Sequence, residues 1–301
     1  SGNMEFLIVD DESTDNTKKI IQTYSNTDPR FKYISSKMGS QILKHKKKAL
    51  DAGINNANYE YLLFTDIDCI IQSKWVDSMA SCFSGNVDYI IGHTYVMDRQ
   101  NTVNKFQRID LFMLLFATYS SLVNGSPWGS SGQNQAYTKT LYNNLNGFEK
   151  LATYLQGDDT LFLQLAVSSG ANVVFNTSLT SYVISRTEES WKKLLLQRAR
   201  WSGDANIIWK FNYSFYLMVF STFLINFAII ILLFLSIKLA LIIILIKLFF
   251  EIILYRIGSI KFHHKINYID FMIWFLIASP YTILMAFASF FNVKWKGLSI
   301  K

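Results

Sequence analysis

From Phe215 to Ser236 the chain is almost wholly apolar, and a second apolar run follows from Lys238 to about Ile257, interrupted by Lys247 and Glu251. A third extends from Phe271 to about Phe291, with aromatic residues near both ends, as interfacial anchors have. A bilayer core of roughly 30 Å takes about 20 helical residues, so each run is long enough to cross one. The reading is a membrane domain over 213–301 with about three transmembrane helices, behind a domain over 1–212. Lys247 and Glu251 sit four apart, so they can pair on one helix face and turn from lipid.

The charges divide unevenly. Residues 1–212 hold 21 Lys+Arg against 20 Asp+Glu, and residues 213–301 hold 8 against 2, so the net charge of +7 belongs to the C-terminal region. A basic excess flanking apolar spans is a matter of topology and lipid headgroups, and it does not point to nucleic acid. Lys192, Lys193, Arg198, Arg200 and Lys210 precede the first span, and Arg256, Lys261 and Lys265 lie between the second and third, which puts both segments in the cytoplasm by the positive-inside rule. Lys294, Lys296 and Lys301 would then lie outside, so either the last span is interfacial or re-entrant, or the basic tail is tolerated. Cys69 and Cys82 have the spacing of neither a disulfide framework nor a zinc site.

Within the N-terminal domain, a pair of apolar strands runs into acids. Tyr61-Leu62-Leu63-Phe64-Thr65 leads to Asp66-Ile67-Asp68, and the strand period of two is expected to point both carboxylates to one side. Hard oxygen ligands on a strand end suit Mg²⁺ or Mn²⁺, which keep part of their coordination for substrate phosphates. Upstream, Glu5-Phe6-Leu7-Ile8-Val9 leads to Asp10-Asp11-Glu12-Ser13-Thr14-Asp15. In an open α/β sheet ligands bind outside the carboxyl ends of the strands, so both clusters belong on that rim.

Val9-Asp10-Asp11-Glu12-Ser13-Thr14-Asp15 resembles the Val-Asp-Asp-Gly-Ser-Thr-Asp signature of family 2 glycosyltransferases, and Asp66-Ile67-Asp68 follows where that family has its Asp-x-Asp. Lys44-His45-Lys46-Lys47-Lys48-Ala49-Leu50-Asp51-Ala52-Gly53 is similar to the family's Gly-Lys-x-x-Ala-Leu-Asn-Ala-Gly helix, with Lys46 on the family lysine and His45 in place of its glycine, a departure expected to narrow the substrate's approach. Lys44, Lys47 and Lys48 read as a solvated basic face. Trp128 to Tyr137, followed by Asn146-Gly147-Phe148-Glu149, is similar to the family's acceptor-side segment, and its glycines allow close approach to a ligand. Gln156-Gly157-Asp158-Asp159-Thr160-Leu161 stands at the family's Glu-Asp-x-Asp-Leu. The ungapped register sets Asp158 on the catalytic base and Gly157 on the Glu, and a shift of one makes the base Asp159. Gln197-Arg198-Ala199-Arg200-Trp201 matches the Gln-x-x-Arg-Trp of membrane-embedded members, and Lys294-Trp295-Lys296-Gly297 is similar to the tail of several such enzymes.

The resemblance implies a GT-A mixed-sheet α/β domain followed by C-terminal transmembrane helices, in a multi-pass protein of the inner (plasma) membrane with its catalytic domain cytoplasmic. It implies inverting transfer of a sugar from a nucleotide-sugar donor, a UDP-sugar above all, to a lipid or saccharide acceptor. Asp10, Asp11 and Asp66 would hold the nucleoside, Lys46 a phosphate, Asp68 the Mn²⁺ or Mg²⁺, and Asp158 or Asp159 would be the base. Gln197, Arg200 and Trp201 would close over the donor, or else form a basic amphipathic helix on the bilayer. A processive polysaccharide synthase would share these motifs. The family's usual first strand, of the Ile-Ile-x-Pro-x-x-Asn-Glu kind, does not precede Glu5, so the chain is expected to be an N-terminally truncated fragment. With Gly157 and His45, that leaves a catalytically silent nucleotide-sugar binder as a third reading.

Overall fold

The computed structural model describes residues 3–154, 156–205, 207–288, 293–295 and 298–300. In chain order the elements are β1 (Phe6–Asp10), α1 (Thr17–Thr27), β2 (Phe31–Ser35), α2 (His45–Asn55), β3 (Tyr61–Phe64), β4 (Ile70–Ile71), α3 (Trp75–Ala80), β5 (Tyr89–Gly92), β6 (Thr94–Val96), α4 (Thr102–Val123), β7 (Gln135–Thr138), α5 (Lys139–Asn144), α6 (Thr160–Ser168), β8 (Val173–Asn176), β9 (Val183–Ser185), α7 (Trp191–Ala205), α8 (Tyr213–Leu235), α9 (Ile237–Lys261), α10 (Tyr268–Ala288), β10 (Val293–Trp295) and β11 (Leu298–Ile300).

The strands β1 and β2 pair in parallel, Phe6 opposite Phe31 and Asp10 opposite Ser35, with α1 as the crossover. A four-stranded sheet has the order β3-β7-β5-β8, antiparallel except for the β5–β8 pair, and a small sheet β4-β9-β6 adjoins it. The central strand β5 is buried throughout, so it reads as the continuous apolar run Tyr89-Ile90-Ile91 and not as an alternation. Its residues Tyr89 and Ile91 join Leu62, Tyr137, Leu161 and Phe162 in a core under α2, α5 and α6.

A second core crosses the boundary expected near Asn212. Helix α4 supplies Phe106, Ile109, Phe112 and Phe116, and the C-terminal helices supply Tyr255, Phe262, Phe271, Trp274 and Phe275. Gly258 lets α9 come close, since a Cβ there would stand 2.8 Å from the Phe116 ring. Phe262 is fully buried, its carbonyl accepting a 2.7 Å hydrogen bond from the Tyr182 hydroxyl.

Helices α8 and α10, of 23 and 21 residues, are long and apolar enough to cross a membrane. Helix α9 is longer, at 25 residues, and carries Lys238, Lys247, Glu251 and Arg256. Lys247 and Glu251 do pair, at 2.9 Å, with the Lys247 ammonium 4.4 Å from the Phe275 ring centre. Between α8 and α10, the Ser279 hydroxyl donates to buried Asn226 at 2.7 Å, the kind of polar contact that joins apolar helices. The strands β10 and β11 pair antiparallel; of the basic tail motif, Lys296 and Gly297 lie outside the described residues, as does the end of the third apolar run, 289–291.

Candidate active site

Strand β3 stops at Phe64, and Asp66, Ile67 and Asp68 lie in the turn beyond it, closed by the Cys69 N–H to the Asp66 carbonyl at 3.0 Å. The alternation expected to aim both carboxylates one way therefore does not operate, because that rule needs extended backbone. Ile67 at the tip is 90% exposed, Asp68 is exposed, and Asp66 turns inward to a lysine.

That lysine is Lys46, in the first turn of α2. Its Nζ lies 2.9 Å from Asp66 Oδ1 and 3.3 Å from Asp158 Oδ2, so it bridges the Asp-x-Asp turn and the segment before α6. Desolvation works against the ammonium, but the charges of Asp158 and Asp66 outweigh it and raise its pKa above the ordinary lysine range. His45, at the family's glycine, has φ +54°, and Glu12, at the other family glycine, has φ +59°. Both departures keep the left-handed backbone that glycine takes without strain.

Asp158 and Asp159 have different surroundings. Asp159 is the N-cap of α6, its Oδ1 accepting from Thr160 N–H at 2.5 Å and its Oδ2 from Gly132 N–H at 3.1 Å. Burial and then the charge of Asp158 push its pKa up. Asp158 is buried with Oδ2 toward Lys46, and Gln135 Nε2 donates to its carbonyl at 3.3 Å. Gly157 has φ +102°, and a Cβ on it would stand 2.7 Å from Leu161 Cδ1, so the Glu of the family pattern has no room on this backbone. Gly132 closes the other wall: a Cβ there would lie 2.9 Å from Lys46 Nζ and 3.4 Å from Asp158 Oδ2.

The structure thus brings Lys46, Asp66, Asp158 and Asp159 together against the Gly-rich segment. Asp10 stands apart from them. It is buried, and its carboxylate accepts from Ser13 N–H and the Tyr33 hydroxyl, each at 3.1 Å. The Ser13 contact, with burial opposing it, lowers its pKa below the usual range. Asp10 therefore shapes the loop that presents exposed Asp11. A cavity of about 510 Å³ is bordered by Gly39, Asp51, Asn55 and the Asn146–Glu149 end of the expected acceptor-side segment, and Lys46, Asp66, Asp158 and Asp159 do not line it.

Helix α7 carries Gln197, Arg200 and Trp201. Gln197 Nε2 donates to Glu188 at 3.0 Å, and Trp201 stacks on the Arg198 guanidinium at 4.0 Å. The carbonyl of Arg200 accepts from Gln156 Nε2 at 2.7 Å, which joins the motif to the Asp158 segment. Arg198, counted with the basic residues before the first span, is 5% exposed and pairs with Asp110 of α4 at 3.0 Å. One expectation fails here. Lys47 does not belong to a solvated face, being 1% exposed. It shares the buried side of α2 with Asp51 and Ile54, at helical spacing.

Among the described residues no group of three His, Cys, Asp or Glu side chains is placed to hold a metal ion. In the Asp66–Asp68 turn Asp66 is paired with Lys46, so the exposed carboxylate of Asp68 is the one that could take a Mg²⁺ or Mn²⁺ ion whose shell phosphate and water complete.

This combination, a mixed sheet with carboxylates and a lysine gathered beyond its strand ends, is an α/β fold of the GT-A type. Residues 1–146, just under half of the chain, match the family described as Glycosyl transferase family 2, so the family resemblance of the motifs holds over that stretch. The poly-beta-1,6-N-acetyl-D-glucosamine synthase of Staphylococcus epidermidis is 28% identical over 108 residues, 35% of this chain and 25% of that one. The match thus spans a quarter of that curated relative's length. Among solved structures, a mannosyltransferase from Pyrobaculum calidifontis, in complex with GDP-Man and Mn²⁺, superposes with a TM-score of 0.57 over 95% of this chain and 77% of that one. Sequence identity there is 13%, so the likeness is one of fold.

Proposed function

We propose that the protein is an inverting glycosyltransferase that moves a sugar from a nucleotide-sugar donor, a UDP-sugar first, to a lipid or saccharide acceptor at the cytoplasmic face of the inner membrane. The observation that carries the reading is the bridge Asp66–Lys46–Asp158, which links the expected donor turn to a buried carboxylate through one ammonium. In this reading Asp158 takes the proton of the incoming acceptor hydroxyl as that oxygen attacks the anomeric carbon, and the bond to the diphosphate breaks. Asp159, spent on two backbone N–H groups, holds the segment. Asp11 and Asp66 bind the nucleoside, with Asp10 shaping the loop of Asp11, and Lys46 and Arg200 meet the diphosphate. Gln197 and Trp201 close the site on the acceptor side.

Asp68, with Asp66 in the same turn, would hold Mn²⁺ or Mg²⁺, which supplies charge neutralisation to the departing diphosphate. The Mn²⁺ named with the Pyrobaculum structure supports that assignment. The exposed apolar faces of α8, α9 and α10, including Phe220, Phe234, Leu245, Phe249 and Leu276, support lipid as their surroundings. In that reading all three helices cross the membrane, and the Lys247–Glu251 pair turns from lipid. The name of the Staphylococcus relative favours a second reading, polymer synthesis, and makes UDP-N-acetylglucosamine the first donor to try.

The test is release of nucleoside diphosphate from UDP-N-acetylglucosamine and GDP-mannose by the full chain in lipid, with and without Mn²⁺, and the length of the product by mass spectrometry. Asp158→Asn is expected to lower turnover about 10²-fold or more while donor binding stays within about threefold. Asp68→Ala is expected to abolish the Mn²⁺ dependence of nucleotide binding. Full turnover in Asp158→Asn, with loss in Asp159→Asn instead, would move the base by one residue.

A further inference from the structure

Lys47, next to the bridging lysine, is buried, and its ammonium donates to the carbonyl oxygens of Tyr154 and Gln156, the latter at 2.8 Å. An ammonium is costly to bury and persists only where its donors are met. Both carbonyls belong to the segment that leads directly into Gly157 and Asp158. Gly157 turns the chain at φ +102°, a conformation that glycine takes without strain, and groups on either side of it hold the carboxylate in place. On one side Lys46 reaches Asp158 itself at 3.3 Å. On the other, Lys47 grips the backbone, and the Gln156 side chain continues to the Arg200 carbonyl of α7 at 2.7 Å.

We propose that Lys47 is a positioning residue for Asp158: its buried ammonium fixes the segment before Gly157 to α2, and Gln156 extends the strap to α7, so that the base and the Gln197–Trp201 motif keep one relative position. The proposal rests on Asp158 being the base. A lysine suits the task because a single ammonium presents three donors at the end of a long stem and meets two carbonyls at once.

The test has two arms on the full chain in detergent. In the first, amide hydrogen exchange is followed in Lys47→Met and Lys47→Arg. Lys47→Met is expected to speed exchange about tenfold or more over residues 156–162 while β5 and α1 keep their rates, and Lys47→Arg is expected to restore most of the protection. Unchanged exchange, or faster exchange throughout the domain, overturns the proposal. In the second arm, UDP release from UDP-N-acetylglucosamine with Mn²⁺ is measured for Lys47→Met in the natural and the Asp158→Asn backgrounds. The expected result is a kcat about tenfold lower with KM within about threefold, and no further loss when Asp158 is already replaced. An equal loss in both backgrounds means that Lys47 acts independently of the base and overturns the proposal. Turnover surviving Asp158→Asn sinks the base assignment instead, and the exchange arm still decides whether Lys47 holds the segment. Should Lys47→Met not fold, Gln156→Leu takes its place: faster exchange over both 156–162 and α7 supports the strap, and unchanged exchange in both removes it.

Discussion

Glu12 and His45 occupy positions where the family pattern has glycine, and each holds a φ that costs an L-residue about 1–2 kcal/mol. Glycine would remove that strain but give back some of it as unfolded-chain entropy, so Glu12→Gly is expected to stabilise the protein by about 0.5–1 kcal/mol, read as a higher midpoint of thermal unfolding. The weak Glu12–Lys37 pair, at 3.9 Å on the surface, contributes too little to reverse the sign. Asp159 gives a prediction in pH. Its carboxyl pKa is raised on folding by burial and by Asp158, so the folded state binds more protons than the unfolded one across that window. Stability should therefore fall as pH rises from about 4 toward 6, where an unfolded Asp is already ionised and this one is not. Asp159→Asn keeps an N-cap acceptor and removes the charge, and a scan of melting temperature against pH should show that fall flattened. The motif spelling of the sequence named both aspartates, with Asp158 set on the base and Asp159 as the alternate one residue on. Their difference lies in which oxygens meet the N–H groups of Gly132 and Thr160, and Gly132 is 27 residues away in the chain.

Helices α2 and α7 carry motifs that the sequence displays plainly, yet their less obvious residues face inward. In α7 the buried Arg198 pairs with Asp110 and stacks on Trp201, so the middle of the motif serves packing against α4. Removing one member of such a pair leaves the other charge buried and unmatched. Arg198→Met is expected to cost about 3–5 kcal/mol, and Arg198→Met combined with Asp110→Leu to recover much of that loss, as measured by unfolding in mild detergent. A loss in the double variant equal to the sum of the losses in Arg198→Met and Asp110→Leu would mean that the pair has no coupling. The sequence entered Arg198 only in a count of basic residues, because counting charges along a chain does not register which of them find a partner across a helix interface.

On the scale of the whole molecule the N-terminal α/β domain and the C-terminal helices share a core, in which Phe106, Phe112 and Phe116 of α4 meet Tyr255, Phe262 and Phe271. A chain ending at Asn212 would expose that face of α4. It is expected to aggregate or elute in large assemblies on size exclusion, whereas the full chain in detergent gives one defined peak. The apolar runs and the acids after strands are local matters of composition and periodicity, and from them the sequence by itself determined the α/β class, the long C-terminal helices and the identity of the acidic clusters. What only the tertiary structure decided is which charges meet. Lys46 finds Asp66 and Asp158, Lys47 the carbonyls before Gly157, and Arg198 the carboxylate of Asp110. The physical reason is that a charge is placed by its partner, and these partners lie 20, 112, 109 and 88 residues apart in the chain, where no local period can register them.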